Sequence, residues 1–238
     1  AEMVIQGVST RKVAKITEEL CGFEVSSTQV SRCTQMLDEE LSAWRRRTLG
    51  ACPYVVLDAR YEKVRQGGQV VDCAVLVALG VRADGKRDIL GISVALSEAE
   101  VHWRQFLTEL KDRGLHGIEL FVADDHAGLK AARRTVFPSV PWQRCQFHLQ
   151  QNAGHYVPRL DLRVPVARDI RAIFNAPSLD EARRLLGLFV DHYAERAPKL
   201  AEWAEHALPE GLVVYNVPET HRRRLRTTNV LERLNREL

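Results

Sequence analysis

"YVVLDARY", Tyr54 to Tyr61, is the stretch that decides how the chain is read. Its first four residues form a short apolar and aromatic run, and Asp58 closes it. Residues 1–48 carry apolar side chains at helical spacing, whereas from Pro53 onward the period shortens to that of strands. "VVDCAVLVALGV" (Val70 to Val81) and "RDILGISVAL" (Arg87 to Leu96) follow, joined by turn signals at Gly67-Gly68 and Asp84-Gly85. Three β-rich runs with short links predict an antiparallel meander.

Outward from that meander, "EAEVHWRQFLTELKDRG" (Glu98 to Gly114) reads as a helix with Val101, Phe106, Leu107 and Leu110 inward, stopped by Gly114. "IELFVADD" (Ile118 to Asp125) is a fourth strand ending in acid, "AGLKAARRTVF" a second helix, and "PWQRCQF" a short fifth strand. Three strands, helix, strand, helix, strand predicts an α/β fold: a mixed five-stranded sheet with flanking helices. That order resembles the topology of ribonuclease H-like nucleotidyl transferases. "DLRVPVARDIRAIFNA" and "LDEARRLLGLFVDHYAERAPKLAEWAEHAL" carry apolar residues at three-and-four spacing and read as an α-helical insertion, about 149–215, within a domain over 53–238.

The first 48 residues form a separate helical segment. "STRKVAKITEELCG" has Ser9 or Thr10 as N-cap, Val13, Ile16 and Leu20 on one face, and Gly22 as its stop. Ser26 and Ser27 can cap a second helix with Val30, Cys33, Met36 and Leu37 inward, and Thr28, Gln29, Ser31, Arg32 and Gln35 on its polar face. Two helices with a polar second face give the shape of a helix-turn-helix, in which Gln29 and Arg32 are candidate DNA contacts.

Bulk properties narrow the classes. The 238 residues are 45% hydrophobic and 27% charged, ordinary for a globular protein. No apolar run approaches the roughly 20 residues of a membrane span, and no signal peptide opens the chain, so a cytoplasmic protein is expected. The five cysteines, Cys21, Cys33, Cys52, Cys73 and Cys145, are odd in number and scattered, which argues for reduced and mostly buried thiols. The formal charge of +3 hides arginine clusters at Arg45 to Arg47 and at Arg222 to Arg224, with Arg226, Arg233 and Arg236 beyond, all candidate phosphate contacts.

Asp58 and Asp124 close apolar runs on strands expected to be adjacent, and Glu232 lies on a late helix. Carboxylates are costly to hide. Acids converging from distant positions suit two hard cations about 3.5–4 Å apart, which neutralise charge on the attacking and leaving oxygens of a phosphodiester. Asp125 rivals Asp124, because strand alternation sends adjacent side chains to opposite faces.

"ADDHAGLKAA" (Ala123 to Ala132), "WQRCQFHLQQNA" (Trp142 to Ala153) and "RLRTTNVLERLNREL" (Arg224 to Leu238) closely resemble the signature segments of Mutator-type transposases of bacterial insertion sequences. "STRKVAKITEELCG", "VSRCTQMLDEELSAWRRRTL" and "PYVVLDARYEKVR" resemble that family's upstream segments. The resemblance implies a ribonuclease H-like fold and an Asp-Asp-Glu triad, matched by Asp58, Asp124 and Glu232, holding two Mg²⁺ or Mn²⁺ ions. It implies cleavage and strand transfer of DNA, with terminal inverted repeats and target DNA as partners and a homo-oligomer that brings two ends together. Cys145 and His148 match the family's Cys-or-Asp, two residues, His signature. With His126 they are candidate supports of the active site. Arg60, Lys63, Arg226, Asn229 and Arg233 are candidate DNA contacts, with Thr227 and Thr228 helping to position the last helix. Family members look longer, so a truncated, inactive DNA-binding remnant is the alternative expectation.

Overall fold

The computed structural model describes residues 2–5, 8–22 and 25–237. Two compact units divide the chain, residues 1–48 and 49–238.

In the first unit, α1 (Glu2–Ile5) precedes α2 (Thr10–Cys21) and α3 (Ser27–Arg46). The Ser9 hydroxyl accepts the Lys12 N–H at the start of α2, and Gly22, at φ 70°, ends it with its own N–H on the Glu18 carbonyl. Ser26 and Gln29 form a reciprocal capping box, which occupies the Gln29 carboxamide oxygen with the Ser26 N–H. Val13 and Val30 are buried. The inward face of α3 differs from the expected one, since Cys33 and Met36 are exposed. Val30, Thr34 and Leu37 are the more covered residues, at i, i+4 and i+7, a stripe too narrow to take in Cys33 and Met36.

The second unit is built on a five-stranded sheet ordered β3-β2-β1-β4-β5: β1 (Tyr54–Gln66), β2 (Gln69–Val81), β3 (Arg87–Ala95), β4 (Leu120–Ala123) and β5 (Trp142–Arg144). The first three strands are antiparallel neighbours, while β4 and β5 run parallel to β1. The β1–β2 hairpin turns on Gly67 and Gly68, both at positive φ, as a two-residue turn of matching twist requires.

Alternation along β1 divides the core in two. Tyr54 and Val56 join Leu120 and Val122 of β4 under the later helices. Val55 and Leu57 face the other way with Phe121, against α4 (Glu100–Asp112) and α5 (Ala127–Val136). Trp103, Phe106, Leu107 and Leu110 of α4 are the buried residues there, each worth about 1.5–3 kcal/mol. Val101, expected inward, is exposed, because Trp103 takes the face that packs on the sheet.

The other face is covered by α6 (Gln146–Ala153), α7 (Arg163–Phe174), α8 (Leu179–Tyr193) and α9 (Pro198–Ala207), followed by two 3₁₀ turns and α10 (Glu219–Arg222). The long apolar-periodic stretch from Leu179 breaks before Pro198, which sits in the first turn of α9, where its missing N–H costs nothing. The last helix, α11 (Asn229–Glu237), lays Leu231 into the core against β1. No helix among the described residues is long and apolar enough to cross a membrane.

Two glycines test this packing in opposite directions. A Cβ on Gly128 of α5 would stand 2.3 Å from the Glu98 carbonyl oxygen and 2.8 Å from the Glu100 N, both backbone atoms. Gly187 of α8 has nothing within 4 Å of that position. Gly128→Ala should therefore destabilise the chain by about 1–3 kcal/mol. Gly187→Ala should stabilise it by up to about 1 kcal/mol, both read by denaturant melts.

Candidate active site

The last pair of the parallel β1–β4 ladder is Val56 with Val122. Two residues further along each strand direction stand Asp58 and Asp124, with the same parity as the two valines and hence the same face. Asp58 is inside β1 rather than at its end, because β1 continues to Gln66 against β2 after β4 has stopped at Ala123. Both acids line a cavity of about 220 Å³ with Glu98, Asp125, His126, His148 and Asn152.

α6 starts one residue after β5, and its first turn brings His148 between two acids. Its Nδ1 abuts the Asp124 carboxylate, and its Nε2 is 3.8 Å from Glu232 Oε1 on α11. Burial, reinforced by the Asp124 and Glu232 charges, pushes the Asp58 carboxyl up to about 7. The hydrogen bond to Asp124, then that to Cys145, pushes His148 up to about 10, so an imidazolium faces the two carboxylates. Glu232 is thus brought to Asp124 across His148 rather than into the cavity lining.

Cys145 is fully buried at the start of α6. Burial raises its thiol, but hydrogen bonds with His148 and Thr228 outweigh burial and hold it below its ordinary value. The N–H and hydroxyl of Thr228, itself fully buried, both donate to Cys145 Sγ, at 3.4 and 3.5 Å. That pair ties the residue preceding α11 to the β5–α6 junction. The ligand atoms of Asp124, Cys145 and His148 lie within 4.8 Å of one another.

Asp125 turns away into different company. Its oxygens pair with Lys130 Nζ at 2.7 Å and with the nearly buried Arg144 at 2.9 Å, and Arg144 also meets Glu210 at 3.0 Å. His126 precedes α5, with its Nδ1 3.9 Å from Glu98 Oε2. Arg60 pairs with Glu62, Lys63 is exposed on β1, and Arg226 donates to Asn175 Oδ1 at 2.7 Å. Asn229 and Arg233 share an exposed flank of α11. Gln29 and Arg32 belong to the other unit, both exposed.

The residues missed in the sequence are those that hold the site together. Buried Gln143 and Gln146 donate to the Gly211 carbonyl, each at 2.8 Å, and the Gln143 carboxamide oxygen accepts the Val214 N–H. No local signal in "WQRCQ" gives them away, since glutamines are mostly exposed and their acceptor lies more than 60 residues away.

The family model for transposases of the Mutator family matches residues 1–238, and the chain belongs to that family. It is 61% identical over 240 residues to the transposase for insertion sequence element IS406 of Burkholderia multivorans, covering all of this chain and 62% of that protein. It is 44% identical to the transposase for ISRM5 of Rhizobium meliloti, covering 100% and 60% of the two chains. Identity is 37% to the transposase for IS256 in transposon Tn4001 of Staphylococcus aureus, covering 100% and 61%. The chain thus spans about three fifths of the length of the curated relatives it matches.

Arg144→Met leaves Asp125 and Glu210 facing each other without their buried cation and should cost on the order of 3 kcal/mol in a urea melt. Lys130→Met, a more exposed partner of the same two acids, should cost no more than about 1 kcal/mol.

Proposed function

We propose that the 53–238 region is a ribonuclease H-like catalytic domain, with an α-helical insertion at about 149–215, that cleaves and transfers DNA ends of an insertion sequence. The 1–48 region is proposed as a helix-turn-helix that binds DNA through Gln29 and Arg32, the capping role of Gln29 leaving its amide nitrogen for that contact. The observation that carries the reading is the register of the β1–β4 ladder, which sets Asp58 beside Asp124 while His148 connects Asp124 to Glu232.

The donor set fits divalent cations. Three carboxylates offer hard oxygen ligands, one of them raised by burial and then by its neighbours' charge. Glu232 Oε1 is buried and makes no hydrogen bond among the described residues. Asp58, Asp124 and Glu232 would hold two Mg²⁺ or Mn²⁺ ions, which when bound neutralise charge on the attacking and leaving oxygens of a phosphodiester. His148 orients the Asp124 carboxylate, Cys145 and Thr228 fix α6 against α11, and His126 lies on the cavity wall beside Glu98. Arg60, Lys63, Arg226, Asn229 and Arg233 are proposed contacts to DNA phosphates. Terminal inverted repeats, target DNA and a second copy of the chain are the proposed partners, and the nucleoid in the cytoplasm the proposed location.

Strand cleavage of DNA carrying the element's terminal repeat, with Mg²⁺ or Mn²⁺, is the test. Asp58→Asn, Asp124→Asn and Glu232→Gln should each lose more than the roughly 10–100-fold that removing an orienting partner costs a metal site. Each should also lose the rise in melting temperature that divalent cations give the unmodified chain. Asp125→Asn should keep both. Repeat binding without cleavage by the unmodified chain would identify a DNA-binding remnant instead.

A further inference from the structure

A groove that shares no lining residue with the Asp58 cavity lies along α11. It begins as a chamber of about 320 Å³ beside the first residues of β1, walled by Tyr54, Val56, Val81, Pro218, Leu225 and Val230. It continues into an open cleft of about 560 Å³ along α11, with Arg87, Arg224 and Val230 common to both.

The chemistry of the two parts differs. The chamber is largely apolar, its polar edge formed by His221, whose Nδ1 is 2.8 Å from the Tyr54 hydroxyl. The cleft is basic. Arg82, Arg87, Arg223, Arg224 and Arg233 line the groove against two acids, Asp88 and Glu119. Asp88 is already paired with Arg82. Arg87, Arg223, Arg224 and Arg233 are all exposed, and none has an ion pair among the described residues. Four guanidinium groups gathered on one cleft repel one another unless an anion with repeated charges lies along them.

We propose that this groove binds a single DNA strand, with its phosphates on Arg87, Arg223, Arg224 and Arg233 and one unpaired base in the chamber above Val230. The proposal rests on the DNA-processing reading and deepens it. A fully paired duplex keeps its bases stacked inside and leaves an apolar recess empty, whereas an unpaired base at an end fills it. The strand would lie along the helix that carries Glu232, since Val230 walls the chamber and Arg233 lines the cleft on that helix.

The test is fluorescence anisotropy of dye-labelled oligodeoxynucleotides with the whole chain, in EDTA so that no cleavage intervenes. Three probes are compared: a single strand, a blunt duplex, and that duplex with one unpaired terminal nucleotide. The single strand and the unpaired end should bind more tightly than the blunt duplex. Arg87→Gln with Arg224→Gln should flatten the dependence of log affinity on log salt by about 0.7 per arginine, and the matching double Lys variant should restore it. Ala83→Trp, which places an indole in the chamber from an exposed turn, should weaken the two probes with unpaired bases by about tenfold and spare the blunt duplex. A salt slope unchanged by the Gln variant, or equal losses on all three probes with Ala83→Trp, would overturn the proposal. So would concentration-dependent self-association that requires the same arginines while DNA binding ignores them. Cleavage by the unmodified chain is the separate readout: its absence with binding intact sinks the catalytic reading and leaves the groove.

Discussion

The second unit depends on the parallel pairing of β1 with β4. Three residue pairs, Tyr54 with Leu120 to Val56 with Val122, define it, and both strands are buried on two faces there. A slip of β4 by one residue against β1 would send Phe121 beneath the later helices and turn Leu120 and Val122 toward α4 and α5. It would also separate Asp58 from Asp124, which share a face only because both lie two positions past the last pair. Side chains such as Trp103 and Leu149, packed on opposite sides of the sheet, therefore fix the relation of the two carboxylates.

A second constraint acts at the β5–α6 junction. Gln143 and Gln146 hold the Gly211 carbonyl, the Gln146 N–H donates to the Arg226 carbonyl, and Cys145 accepts two hydrogen bonds from Thr228. Segments more than 60 residues apart in sequence are thereby joined through groups with almost no solvent exposure. Leaving any one of these groups unpaired would cost about 1–3 kcal/mol, so the network favours a single arrangement. The position of Glu232 follows from it, because Thr228 immediately precedes the helix that carries that acid.

The strand order was legible because "YVVLDARY", "VVDCAVLVALGV" and "IELFVADD" are apolar runs bounded by turn residues, a local signal. The candidate acids were legible because charge at the edge of such a run is conspicuous. The partners of Asp125 were not, since Lys130 and Arg144 meet it, and share Glu210 with it, only after three elements have folded. Nor was the break before Pro198, where helical periodicity continues on both sides of an interruption. Thr228 read as a helix cap, yet its hydroxyl donates to Cys145, 83 residues away, a pairing that no spacing rule can anticipate.

The arginine run near the end of the chain makes the same point through charge. In sequence, Arg222, Arg223, Arg224 and Arg226 are alike. In the fold, Arg222 donates to the Val217 and Tyr215 carbonyls and lies over the Tyr215 ring, and Arg226 donates to Asn175. Arg222 spends its fork on two carbonyls that a lysine could not span, whereas Arg226 commits one nitrogen to Asn175 and keeps other donors for a phosphate. Arg223 and Arg224 face the groove with no such partner among the described residues. The short α10 and the turn after it decide the division. Net charge, at +3, records none of this: what determines whether an arginine can meet a phosphate is whether the fold has already used its donors.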